Sequence, residues 1–155
     1  MSQLLSLYRR VVSSLSSLQS PMLLAVRLYW GFQFAQTGWG KLHNLSKITG
    51  FFASLNIPLP GFSAPAVSLL EFVGGILLMF GLCSRPIAFL LCCNMFVAYW
   101  TADHEALTSV LSDPGKFYAA DPYTFFFASV MVLIFGSGLF AADSVIAKRL
   151  KPLEQ

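Results

Sequence analysis

Residues 65–82 read PAVSLLEFVGGILLMFGL, an apolar run whose one charge is Glu71. A helix rises 1.5 Å per residue, so a run of this length nearly spans a ~30 Å hydrocarbon core. Backbone N–H and C=O groups in lipid must pair within their own segment, which makes such an isolated run a helix. Three further runs share its character, at 22–39, 87–102 and 122–142. None alternates in the ten-residue pattern of a membrane β-barrel. The expected fold is all-α: an integral membrane four-helix bundle that crosses the bilayer four times.

The rest of the composition agrees. Of 155 residues, 56% are hydrophobic and only 11% charged, and mean hydropathy is +0.68. Soluble domains carry about 25% charged residues, so this chain has too few charges to coat a water-facing surface. The length allows one domain. A net charge of +3 from scattered Lys and Arg speaks against nucleic acid as a partner. Cys83, Cys92 and Cys93 form no CxxC pair, and neighbouring side chains on a helix diverge by about 100°. They read as small apolar residues, not as a disulfide framework.

Between the first two runs lies a long polar connection, 40–64, with Lys41, His43, Asn44, Lys47 and the turn Pro58-Leu59-Pro60-Gly61. Within it, 48–55 suits a short surface helix. Cys83-Ser84-Arg85-Pro86 reads as a tight turn. The second long connection, 103–121, is acidic and ends at Asp121-Pro122, an N-cap followed by a proline at N1. Ahead of the first run, Leu4, Leu7, Val11, Leu15 and Leu18 recur at helical spacing with serine and arginine on the other face. Residues 1–20 therefore read as an amphipathic helix on the cytoplasmic surface, not a cleaved signal, because 11–20 is too serine-rich for an h-region. The membrane domain takes 21–143, and 144–155 form a basic cytoplasmic tail.

Orientation follows from the basic residues. Arg9, Arg10, Arg85, Lys148, Arg149 and Lys151 share the side of the termini, against Lys41, Lys47 and Lys116 on the other. The richer side is cytoplasmic, so both termini are expected in the cytoplasm of a multi-pass cell (inner) membrane protein.

Two charges stand inside spans, Arg27 and Glu71. A charge near the bilayer centre costs a few kcal/mol, so each asks for a partner or a task. Gln33 and Gln36 share a helix with Arg27, and the four residues suggest an intramembrane polar pocket. Two readings stand side by side: a buried pair that fixes helix register, and a pocket that binds a small ligand or passes protons. Gly31, Gly38, Gly74-Gly75 and Gly136-Ser137-Gly138 would let helices approach closely. Asp103-His104-Glu105 are consecutive and cannot converge on one ion from a helix, so no metal site is expected there. His43 reads as a surface residue. Aromatic residues near span ends, such as Trp39, Trp100 and Tyr123, suit an interfacial belt.

Taken in order, Arg27-x3-Gly31, Gly38-x2-Lys41-Leu42, Leu70-Glu71-x2-Gly74-Gly75, Gly81-Leu82-x2-Arg85 and Phe135-Gly136-x-Gly138-x4-Asp143 resemble the DoxX family of small four-helix membrane proteins. The resemblance runs over about residues 22–143. It implies kinship with the DoxD subunit of thiosulfate:quinone oxidoreductases, with membrane partners of redox-defence enzymes, and with proteins that accompany biosynthesis of modified copper-binding peptides. Lys41 and Arg85 are the basic positions that match the family, and no catalytic role attaches to them. The leading expectation is a membrane subunit or scaffold of a redox or stress-response complex, not a catalyst by itself. The alternatives are a quinone-interacting oxidoreductase subunit, with Glu71 holding a quinone oxygen, and a small transporter or proton-coupled carrier. No haem pair, flavin motif or dithiol is visible, so electrons would need an external donor. Expected partners are the bilayer, a redox protein or quinone, and a second copy of the chain.

Overall fold

The computed structural model describes residues 2–150, which form helices joined by turns, with no strand among them. Of the expected basic tail, 144–150 fall within the last helix, and Lys151 and the residues after it lie outside the described residues. The helices are α1 (Ser2–Ser17), α2 (Gln19–His43), α3 (Leu45–Ser54), α4 (Pro60–Phe80), α5 (Ser84–Thr101), α6 (His104–Thr108), α7 (Pro114–Ala119), α8 (Pro122–Phe135) and α9 (Ala142–Leu150). Two helical stretches are long and apolar enough to cross a membrane, Ser6–His43 and Pro60–Phe80, and Pro122–Phe135 is a shorter apolar helix.

Helix α2 packs along α4 and α5 along α8; α4 meets α5, and α2 meets α8. Glycines set the first crossing. A Cβ at Gly75 would stand 2.5 Å from the Ala35 amide nitrogen and the Gly31 carbonyl oxygen. One at Gly38 would stand 2.7 Å from the Ser68 carbonyl oxygen and strike the Phe72 backbone. The two backbones therefore touch, the small-residue packing that drives helix association without a hydrophobic force. Around this crossing Phe34, Leu78, Ala88, Leu91, Met95 and Val132 form the buried core. Many large apolar side chains face outward, among them Phe32, Leu69, Phe89 and Phe127. Such a surface needs an apolar solvent.

Several boundaries differ from the sequence expectation, each for a local reason. The run 22–39 lengthens in both directions into α2, and Leu18, in helical conformation at φ −76° and ψ −13°, joins α1 to it almost without interruption. The expected surface helix thus continues the first long helix, with its apolar residues Leu4, Leu7, Val11 and Leu15 exposed. Helix α4 starts at Pro60, not Pro65, after Asn56 (φ 55°) and Leu59 (φ 50°) turn the chain through left-handed conformations. Pro65 is carried inside the helix. The fourth run stops early. Gly136 (φ 77°) and Gly138 (φ 74°) take positive φ, which ends α8 at Phe135 and leaves 136–141 non-helical. Asp121 occupies the N-cap position of α8 but makes no side-chain capping bond.

Candidate functional site

The structure separates the two intramembrane charges and gives each different company. The α2–α4 register explains why. Gly31 lies against Gly75 and Met79, and Gly38 against Ser68 and Phe72. That alignment carries Arg27 to Gly81, whose lack of a side chain makes room for the guanidinium. Glu71 is then ten residue steps along the chain from the level of Arg27, about 15 Å of helix rise. The expected common pocket of Arg27, Gln33, Gln36 and Glu71 does not form. Gln33 bonds the Tyr29 hydroxyl at 3.4 Å, and Gln36 is exposed.

At the end of the molecule near the termini, Arg27 is fully buried and its Nη2 donates to the Phe140 carbonyl at 2.6 Å. Asp143, from the segment after α8, accepts from the backbone amides of Cys83 and Ser84, both at 2.8 Å. It thereby caps α5 from a distant part of the chain, and its own amide donates to the Gly81 carbonyl at 3.0 Å. Burial pushes the Asp143 carboxyl up, but hydrogen bonds from Ser84 and Cys83 and the nearby Arg27 charge outweigh it and hold it below the usual range. The fold therefore favours the ionised form. That stabilisation is complete above the unfolded carboxyl's value of about 3.9 and is lost as pH falls through the lower folded value. Asp143→Asn should cost about 1–2 kcal/mol, the scale of a lost helix cap. It should also flatten the acid limb of a thermal-stability profile taken in detergent between pH 3 and 7. Arg85 is exposed and donates to the Ile134 carbonyl at 3.4 Å. This end is a structural latch.

Glu71 belongs to the other half. Its carboxylate is 1% exposed, and Oε1 accepts from Lys41 Nζ at 2.7 Å and from Asn94 Nδ2 at 2.9 Å. Three helices supply these groups: α2 the lysine, α4 the carboxylate, α5 the amide. Glu71 Oε2 is buried with no partner among the described residues, which is costly unless something bonds it. Lys41, about 31% exposed, keeps two further N–H donors.

Above this triad opens a cavity of about 910 Å3, within the 300–1,000 Å3 usual for small-molecule sites. Phe34, Met95 and Phe125 wall it from the bundle, Ile48 and Phe52 from α3, and Leu55 from the end of that helix. Thr101, Asp103, Tyr118 and Asp121 line its far end, where the two long connections lie. One deep polar floor under apolar walls suits an amphipathic ring with polar oxygens. The orphaned Oε2 can accept a hydrogen bond or hold a proton there, and Lys41 and Asn94 are donors. A quinone head therefore fits this donor set.

Asn94 was not among the residues expected in a polar pocket. Its signal was available, for it is an amide amid the apolar 87–100 segment. Lys41 lies not in a polar connection but inside α2, which runs on to His43 and holds it over Glu71. His104 is exposed and meets Trp100 edge-on at 5.1 Å. No group of three metal-binding side chains occurs among the described residues.

The DoxX family model matches residues 22–104, the segment that holds Lys41, Glu71 and Asn94. Over 128 residues the chain is 27% identical to "Putative oxidoreductase CatD" of Bacillus subtilis (strain 168), covering 83% of this chain and 89% of that protein. Over 74 residues it is 31% identical to "Inner membrane protein YqjF" of Escherichia coli (strain K12), covering 48% of this chain and 55% of that one. No solved structure matches. With more than half its length matched, this chain belongs to the DoxX family and is a membrane protein.

Proposed function

We propose that this chain is the quinone-binding membrane subunit of a redox complex, receiving electrons from a partner protein. The observation that carries the reading is the apolar cavity floored by Lys41, Glu71 and Asn94. Lys41 and Asn94 donate hydrogen bonds toward quinone oxygens, and Glu71 holds or releases a proton at Oε2. A bound quinone supplies the two-electron, two-proton chemistry that no side chain here provides. The name of the Bacillus subtilis relative supports a redox role. Titrating a short-chain ubiquinone into purified protein, with bound ligand counted after gel filtration, should give one saturable site per chain. Lack of saturable binding would exclude the reading.

In this reading α2, α4, α5 and α8 all cross the bilayer as a four-helix bundle, with both termini cytoplasmic. The unequal distribution of Arg and Lys supports this. Cysteines placed singly at Ser6, Asn44 and Ser112 in a Cys-free chain test it with an impermeant thiol reagent on intact cells. Asn44→Cys and Ser112→Cys should label and Ser6→Cys should not; labelling of Ser6→Cys would reverse the orientation.

A further inference from the structure

We propose that the cavity is a one-ended proton route, through which Glu71 exchanges protons only with the aqueous side that carries the two long connections. The inference shares the cavity with the proposed function but does not require that its ligand be a quinone. The route begins at Glu71 Oε2, buried and unpartnered among the described residues. It passes the half-exposed Lys41 and reaches Thr101, Asp103, Tyr118 and Asp121 within the same cavity. These side chains can hold ordered water, which needs several polar partners to be stable in an enclosed space.

The opposite direction is closed. Immediately beyond Glu71, Phe34, Leu78, Leu91 and Val132 are each 0% exposed. Gly31 and Gly75 bring the α2 and α4 backbones into contact at the same depth, leaving no seam for water. Ser129, buried in this layer, gives its hydroxyl to the Phe125 carbonyl at 2.8 Å, and the charged groups beyond, Arg27 and Asp143, lie about 15 Å away along α4 and are engaged with Phe140, Cys83 and Ser84. The groups facing Glu71 are Lys41 from α2 and the neutral Asn94 from α5; α8 offers Pro122, Thr124 and Phe125 to the cavity, none of them charged. A proton entering or leaving Glu71 thus has one polar way out.

The experiment uses the full chain, with Cys83, Cys92 and Cys93 replaced by alanine, in sealed proteoliposomes of known orientation. Thr37→Cys and Val67→Cys place thiols in the cavity wall, and Leu78→Cys places one in the apolar layer. A cationic, impermeant methanethiosulfonate reagent should label the first two from the long-connection side only and Leu78→Cys from neither side. Labelling of both wall positions from the side of the termini, or from neither side, would overturn the proposal. A pH gradient imposed across the same vesicles should decay no faster than in protein-free ones. Acceleration by the wild-type chain that Glu71→Gln abolishes would mean a two-ended path and would equally overturn it. Adding decylubiquinone separates the two readings: labelling that stays one-sided but is not slowed supports the route and counts against the quinone alone.

Discussion

Gly75→Ala is expected to destabilise the protein by roughly 3 kcal/mol or more, at the upper end of the overpacking range. The new methyl would meet the Ala35 nitrogen and the Gly31 oxygen at 2.5 Å and Phe34 Cβ at 2.9 Å. Two of these are backbone atoms of α2, which cannot swing aside as a flexible side chain does. The helices must separate, and the contact that sets their register goes with them. Gly38→Ala should behave likewise, because it strikes the Phe72 backbone. Two controls isolate the cause. Gly74→Ala meets Leu91 and Ile87 side-chain atoms at 3.4–3.5 Å, ordinary contact, and Gly40→Ala meets nothing within 4 Å. Both should lie within about 1 kcal/mol of the wild type, helped by alanine's better helix propensity. Thermal unfolding in detergent, followed by size-exclusion homogeneity, makes the comparison. Equal stability of Gly75→Ala and Gly74→Ala would show that the α2–α4 backbones do not touch.

At Glu71, charge and shape should separate. Glu71→Leu removes the acceptor for both Lys41 and Asn94. Lys41 is partly exposed and can turn toward water, so the cost falls on the stranded Asn94 and the lost ion pair, about 1–3 kcal/mol. Glu71→Gln keeps a carbonyl oxygen where Oε1 stands, so both donors retain their acceptor and stability should stay within about 1 kcal/mol of the wild type. Ligand binding should not. The amide puts an N–H group where Oε2 could accept a hydrogen bond or hold a proton, and it cannot exchange a proton in this range. Loss of one good hydrogen bond is worth about 1.4 kcal/mol, or tenfold in affinity, so quinol binding should weaken about tenfold or more. Calorimetric or filtration titrations of the two variants beside the wild type check this. A Glu71→Gln chain that is stable and binds quinol with full affinity would remove Glu71 from the site.

What was legible in the sequence had a one-dimensional signal. Apolar runs mark helices because lipid leaves the backbone no other partner, so all-α architecture and family could be read directly. Glu71 and Arg27 stood out because each interrupts such a run. Their partners could not be read, because pairing depends on the register between helices, and that register rests on which glycines touch. Counting residues from the span ends leaves Arg27 and Glu71 about 9 Å apart in depth, a gap that a long side chain or a water could bridge. The contacts of Gly31 with Gly75 and of Gly38 with Phe72 place them at opposite ends of the crossing. Lys41 was hidden by the true end of α2, two residues beyond it at His43. The short fourth helix follows from positive φ at Gly136 and Gly138, a conformation that glycine permits but does not announce. Asp143 capping α5 across 59 residues is a tertiary contact with no local trace.

A quinone bound in the cavity above Lys41, Glu71 and Asn94 should be caught there by photolabelling. A photoreactive azido-ubiquinone is added to the purified chain, illuminated with and without excess unmodified ubiquinone, and the adducts are located by peptide mass spectrometry. Adducts are expected on Phe52, Met95, Ala98 and neighbouring wall positions, and excess ubiquinone should abolish them. Competable adducts confined to the lipid-facing surface, such as Phe32, Phe89 or Phe127, would contradict it.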